Sequence, residues 1–327
     1  MNPLKALVEA KGYVVLDGAM GTQLFAAGLT SGDPPERWNI EFPERIQTIH
    51  RDYFAAGSDV VLTNSFGGTR YRLKLHGLQD RVEELSAAAA ANARVAADEV
   101  DRTVLVAGSM GPTGELIDPL GELSAEDAAL AFAEQARGLA AGGADLLWLE
   151  TLSDLAEVEA AVRGARSASD LPIVVTMSYD TVGRTMMGVS GAEAVERMAP
   201  YDLAAIGANC GNNIPDTEAA VTEIAGLAGE VLVVSKANAG IPEWHGTELH
   251  YNGTPDVLAA HAYRVREAGV TVIGGCCGST PDHIAMVAKV LAGEVPVPDV
   301  EHVAAPERTT IDRDNRRGGG RRRRTTS

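Results

Sequence analysis

Two cysteines stand side by side in "GGCCGST" (274–280), and a third, Cys210, lies upstream in "GANCGNN". Three readings of the trio compete. The first is a disulfide. Adjacent residues have Cα atoms only about 3.8 Å apart, below the usual disulfide spacing, so a Cys276–Cys277 bridge would be strained. The second makes each cysteine a small buried hydrophobe, common for a free thiol. The third is a soft metal such as Zn²⁺, which thiolates suit. Three protein ligands leave the fourth tetrahedral position open, the mark of a catalytic rather than a closed site. Gly211, Gly274, Gly275 and Gly278 flank the thiols and let the backbone bend toward one ion. A cation carrying three thiolates is electron-rich and a poor activator of water. It suits an incoming thiol, which coordination deprotonates, and so alkyl transfer to sulfur. A non-enzyme reading, a zinc or thiol redox sensor, uses the same residues.

The thiols need a scaffold that brings two distant segments together. Eight nearly unbroken apolar runs recur, at 13–20, 59–66, 103–110, 145–151, 172–179, 203–210, 231–240 and 270–277. Such runs are expected of parallel strands buried on both faces. Helical patterns separate them, at 43–57, 81–99, 124–141, 154–167, 191–198, 216–228, 255–268 and 281–292. Ser124 with Asp127, and Thr280 before Pro281, read as helix starts. Eight strand–helix units predict a (β/α)₈ TIM barrel over 1–299, with a doubly wound sheet as the alternative. The Arg- and Gly-rich end, 300–327, loses all periodicity and is expected to be a disordered tail.

In such a barrel, chemistry gathers where strands end. The run ends here carry Asp17, Thr63-Asn64, Ser109, Glu150-Thr151, Ser178, Asn209-Cys210, Lys236-Asn238 and Cys276-Cys277. The sixth and eighth strands have one neighbour between them, so all three thiols can face one space. The formal net charge of −17 argues against nucleic acid as partner. No apolar stretch approaches a membrane span or a secretory leader, so a cytoplasmic protein with no membrane partner is expected.

Six segments together resemble the zinc-dependent homocysteine S-methyltransferases: "DGAMGT" (17–22), "GPTGE" (111–115), "LET" (149–151), "ANCG" (208–211), "KANAGIP" (236–242) and "GGCCGSTPDHI" (274–284). That family includes betaine-dependent enzymes and the homocysteine module of cobalamin-dependent methionine synthase. The likeness covers about residues 12–292. It implies a (β/α)₈ barrel with Zn²⁺ on Cys210, Cys276 and Cys277, and homocysteine bound to the metal through sulfur. It implies that Glu150 holds the amino group of homocysteine with help from Asp17. Backbone amides around Gly18, Ala19 and Met20, or at Ser109, would meet its carboxylate. Asn209 and Asn238 are expected to donate to the thiolates, and His283 to cap a helix or lie at the surface rather than bind metal.

The methyl donor is less constrained. Betaine's quaternary ammonium is recognised by aromatic faces, and Trp38, Phe66, Tyr71, Tyr179 and Trp244 are the aromatics considered, with Trp38 and Tyr71 foremost. "RTMMG" (184–188) also resembles betaine-using members. Against that, animal-type betaine enzymes have Tyr where this chain has Thr151 and Gly67. S-methylmethionine, or a methylated corrinoid on a separate partner protein, are the alternatives. Oligomeric state, including a homo-oligomer, is left open.

Overall fold

Each apolar run becomes a strand whose alternate side chains fill one interior. The computed structural model describes residues 2–180, 183–245 and 248–301. From residue 302 on, the expected tail lies outside the described residues. In chain order the elements begin α1 (Pro3–Lys11), β1 (Val14–Val15), α2 (Met20–Ala26), α3 (Trp38–Glu41), α4 (Pro43–Ala55), β2 (Val60–Leu62), α5 (Arg70–Lys74) and α6 (Val82–Ala97). They continue with β3 (Leu105–Met110), α7 (Ala125–Ala141), β4 (Leu146–Leu152), α8 (Leu155–Ala168), β5 (Ile173–Met177), α9 (Gly191–Met198), β6 (Ala205–Cys210) and α10 (Ile214–Ala225). The last are β7 (Leu232–Ala237), β8 (Pro242–His245), β9 (Glu248–Tyr251), α11 (Pro255–Glu267), β10 (Val272–Gly275) and α12 (Pro281–Leu291).

Eight strands pair in parallel in the order β1-β10-β7-β6-β5-β4-β3-β2. A parallel bridge from Leu16 to Val60 joins the two ends of that order. Backbone bonds Asp17 N–H to Val60 O and Asp59 N–H to Val15 O complete the ring. The chain is therefore a (β/α)₈ barrel, and the doubly wound alternative is excluded. Inside it, Val14, Leu16, Leu105, Ala107, Leu146, Trp148, Val174, Val234 and Val272 form one apolar cluster. Each fully buried Val or Leu there contributes about 1.5–3 kcal/mol. The opposite strand faces pack against the helices in a second, larger cluster. Because side chains alternate, the next inward positions above that plug are Ser109, Glu150, Asn209 and Lys236, and this is how a polar layer comes to crown an apolar one.

The expected helices form within a few residues of their anticipated ends. Ser124 accepts the Asp127 N–H at the start of α7, and Thr280 with His283 forms a reciprocal cap at α12. His283 is also buried, its Nε2 bonded to Gly253 O at 3.0 Å. The strands are shorter than the apolar runs, because the last residues of each run are rim residues. Thus β1 stops at Val15 and the chain re-enters a helix at Met20. The antiparallel β8–β9 hairpin, inserted between β7 and α11, was not anticipated. No helix among the described residues is long and apolar enough to cross a membrane.

One buried residue of the outer layer has a consequence for acid stability. His50 of α4 is fully buried and neither ring nitrogen has a hydrogen-bond partner. Burial lowers its pKa to about 3. Below about pH 6.5 the unfolded chain takes up a proton that the folded chain refuses, so stability falls as pH falls, by up to about 1.4 kcal/mol per unit. Urea unfolding at pH 7 and pH 5 should show wild type losing about 2 kcal/mol more than His50→Leu over that interval. Equal losses in the two proteins would contradict this.

Candidate active site

The two cysteine segments meet across β7. Cys210 ends β6, and Cys276 and Cys277 follow β10, the strand on the other side of β7. All three are free thiols. Cys210 Sγ and Cys277 Sγ are 3.8 Å apart, and the three sulfurs lie within 4.8 Å of one another. Zinc–sulfur bonds of about 2.3 Å in a tetrahedron put sulfurs about 3.8 Å apart. The spacing and the soft donors therefore fit a tetrahedral cation. Among the described residues, no other group of three His, Cys, Asp or Glu side chains is so placed.

Local backbone geometry aims these side chains. Thr151 and Cys210 each adopt φ 62°, unusual for residues with a Cβ and costing about 1–2 kcal/mol apiece. Each follows an inward residue, Glu150 or Asn209, and would otherwise point out at the helices. The left-handed turn returns both to the cavity wall. Asn209 locks the arrangement. Its Oδ1 accepts the Thr151 N–H at 2.8 Å, and its Nδ2 donates to Thr151 Oγ1 at 2.7 Å and approaches Cys276 Sγ at 3.8 Å. Asn238, expected to donate to a thiolate, instead donates to Gly211 O at 2.6 Å and braces the turn beside Cys210.

The loop after β1 is tied to the loop after β10. Tyr53 Oη donates to both Ala19 O (3.0 Å) and Ser279 O (2.9 Å), and Ala19 N–H donates to Ser279 O. A Cβ at Gly18 would sit 2.7 Å from Ser279 O, so only glycine permits this approach. Tyr251, from the unanticipated hairpin, covers the thiols from above. Its ring lies where a Cβ on Gly278 would fall, 2.3 Å from Cγ, and its hydroxyl hydrogen-bonds Cys277. The Cys210 and Cys276 thiols that donate to Cys277 hold it well below the usual thiol range against burial, with Tyr251 adding a third bond.

A buried charge cluster stands beside the sulfurs. Lys236 Nζ donates to Asp17 Oδ1 at 2.6 Å, with side chains 3% and 1% exposed. Asp17 Oδ2 accepts the Leu62 N–H at 2.7 Å, so both Asp17 oxygens are engaged. Burial alone would lower Lys236, but Asp17 and Glu150 hold it above its ordinary value. Glu150 takes a hydrogen bond from Ser109 Oγ. Burial raises its pKa to about 7, with Lys236 pulling down and Cys276 pushing up. Of the amides expected to meet a carboxylate, Ser109 N–H is spent on Thr63 Oγ1 (2.9 Å) and Ala19 N–H on Ser279 O. The first turn of α2, opened by Met20 and Gly21, has no side-chain cap.

These groups line one cavity of about 340 Å³. At one end are Asp17, Gly18, Ala19, Met20, Ser109, Glu150, Lys236 and the three cysteines. Another part of its wall is formed by Glu36, Phe66, Gly67, Arg72, Leu75 and His76. Trp38 and Tyr71 are not in that lining. Trp38 is buried against Phe42, edge to face at 5.0 Å, beneath the Arg45 guanidinium. Tyr71 packs on the Ile117–Leu123 cluster. Tyr179 is buried behind the wall, and the side chain of Trp244 lies outside the described residues. Among those of the five whose side chains are described, Phe66 is the one that reaches the cavity. The sequence pattern does not single out Glu36, Arg72, His76 and Tyr251, which sit in a single turn, the five-residue α5, the loop after it and the inserted hairpin, all too short for a periodic signal, and it marks Lys236 only as a rim residue.

The model of the family described as homocysteine S-methyltransferase matches residues 14–291. A protein named methionine synthase from Mycobacterium tuberculosis (strain ATCC 25618 / H37Rv) is 37% identical over 300 residues, covering 87% of this chain and 25% of that protein. The chain spans about a quarter of the length of the curated relatives it matches. Among solved structures, the homocysteine methyltransferase MmuM from Escherichia coli, oxidized form, superposes with TM-score 0.76 at 29% identity, covering 88% of this chain and 99% of that one. Its metallated form gives 0.75 at 28% identity with the same coverage.

The charge cluster yields a stability prediction. Lys236→Met keeps the volume but strands a buried carboxylate, and should destabilise the fold by about 3–5 kcal/mol. Adding Asp17→Asn should recover most of that loss. Urea unfolding of the single and double variants checks it; an unchanged single variant would contradict the ion pair's role.

Proposed function

Because the chain belongs to the homocysteine S-methyltransferase family, we propose that it transfers a methyl group from betaine to the sulfur of homocysteine, giving methionine, at a zinc held by Cys210, Cys276 and Cys277. The observation that carries the reading is the meeting of three thiols at one end of a cavity that also holds a buried carboxylate. When bound, zinc would keep the homocysteine sulfur as a thiolate at neutral pH.

The chain's own residues do the rest. Glu150, bonded by Ser109 on one oxygen, offers its carboxylate to the ammonium of homocysteine. Asp17 fixes Lys236 and adds negative charge to the same end of the cavity. The Ala19 N–H being taken by Ser279 O, the uncapped first turn of α2 at Met20 and Gly21 receives the substrate carboxylate. Asn209 holds Thr151 and the Cys276 side of the site in place. Leu24 and Leu62 line the same cavity and limit water beside the thiolate. In the transfer, the sulfur lone pair forms the new S–CH₃ bond. The C–N pair returns to the donor nitrogen, leaving dimethylglycine and methionine, and the two opposite charges cancel.

A second donor reading rests on the likeness to methionine synthase over a quarter of its length. In it the chain presents homocysteine to a methylated corrinoid on a separate protein. The experiment supplies zinc-loaded protein and homocysteine with betaine, S-methylmethionine, dimethylsulfoniopropionate or a methylcorrinoid protein, each alone, and assays methionine. Betaine should give turnover. Methionine from the corrinoid protein alone would replace the donor, and none from any of the four would leave the thiol-sensor reading. Separately, Glu150→Gln should weaken homocysteine binding roughly 10- to 150-fold, the worth of a charge-assisted hydrogen bond, with zinc content unchanged. Calorimetric titration showing equal affinity would remove Glu150 from the substrate's amino group.

A further inference from the structure

The β8–β9 hairpin is stitched to the cysteine loop itself. Ala239 N–H donates to Cys277 O at 2.9 Å, and Gly253 N–H, just past β9, donates to Ala239 O at 2.8 Å. His283 Nε2 donates to Gly253 O at 3.0 Å while its Nδ1 accepts from Thr280, so α12 holds the same strand end. Tyr251, the last residue of β9, is thereby fixed against Gly278. A Cβ at Gly278 would lie 2.3 Å from Tyr251 Cγ and 2.5 Å from its Cβ, so only glycine admits the contact. The Tyr251 hydroxyl hydrogen-bonds the Cys277 sulfur. Cys277 lines the cavity and Tyr251 does not, so the phenol acts on the sulfur without taking up substrate space.

The three sulfurs are not equally supplied with donors. Cys277 has the Tyr251 phenol, and Asn209 Nδ2 approaches Cys276 Sγ at 3.8 Å. Among the described residues, Cys210 Sγ hydrogen-bonds only with the other two thiols. When the thiols give up their protons to a cation, the bonds between them go. The phenol, a donor throughout the neutral range, stays. A hydrogen bond to a thiolate draws charge from it, and a sulfur's nucleophilicity falls as its basicity falls. This bears on a hazard of methyl transfer at such a centre. With substrate bound, four thiolates would share one ion, and alkylation of the wrong one would leave a neutral thioether where a ligand had been.

We propose that Tyr251 is a positioning residue that keeps Cys277 a metal ligand rather than a methyl acceptor, by donating its hydroxyl to that sulfur. The inference rests on the methyl-transfer reading and adds to it the protection of one of the protein's own sulfurs. Tyr251 keeps its proton throughout and forms no bond to carbon.

The test alkylates zinc-loaded wild type and Tyr251→Phe with iodoacetamide and follows each cysteine by tandem mass spectrometry. In that reaction the sulfur electron pair forms the S–CH₂ bond and the carbon–iodine pair leaves as iodide, so it reads sulfur nucleophilicity with no methyl donor present. The substitution keeps the ring over Gly278 and removes only the hydroxyl. A charge-assisted hydrogen bond is worth roughly 10- to 150-fold at equilibrium. Sulfur nucleophiles express about half of that logarithm in rate, so Cys277 should be alkylated about 3- to 12-fold faster in Tyr251→Phe. Cys210, which has no such donor, should react at the same rate in both proteins and serves as the reference. Equal or slower reaction at Cys277, an equal rise at all three cysteines, or a variant that no longer takes up zinc would overturn the assignment. Zinc content is measured before alkylation. A wild type that binds none ends the metal reading first and the shielding of Cys277 with it; bound zinc with equal rates at Cys277 ends the shielding alone.

Discussion

Three sulfurs within 4.8 Å of one another cannot all become thiolates without a cation among them. Like charges at that range in a poorly solvated cleft repel by several kcal/mol. The rest of the upper barrel answers this constraint. Lys236, almost without solvent, sits among Asp17, Glu150 and Cys276 and is raised by all three, so one cation is shared among more negative groups than it can neutralise. The divalent ion proposed for the cysteines would offset part of that negative charge.

Holding that charge cluster together requires a stiff rim, and the stiffness comes from cross-loop bonds rather than from the strands. Tyr53 clamps the first and last βα loops, Asn209 clamps the fourth to the sixth, and Asn238 braces the turn at Gly211. Two left-handed non-glycine residues, Thr151 and Cys210, persist because these bonds over-determine them. Thr151 stands where some relatives are expected to have tyrosine. Here it is bonded to Asn209 through both its N–H and its hydroxyl, and so ties the end of β4 to the end of β6.

The barrel was legible because buried parallel strands leave unbroken apolar runs and their helices leave capped periodic ones. The thiol trio was legible because a cysteine pair among glycines is rare and strand alternation places it at the rim. Glu36 and Tyr251 were not, since short turns and an inserted hairpin carry no periodicity and their side chains reach the cavity only through tertiary contacts. Trp38 and Tyr71 lie outside the cavity lining for the complementary reason. An aromatic residue near a site in sequence is as easily drawn into packing, and both were: Trp38 under Arg45 and Tyr71 against Ile117. Lys236 looked like a rim residue because a lysine buried to 3% is rare without partners, and its partner Asp17 lies 219 residues away.

X-ray absorption at the zinc edge tests the central claim most directly. Protein loaded with one equivalent of zinc should show three sulfur neighbours at about 2.3 Å and one lighter atom, with a fourth sulfur replacing the lighter atom when homocysteine is added. A shell dominated by oxygen or nitrogen, or a sulfur count that homocysteine leaves unchanged, would contradict it.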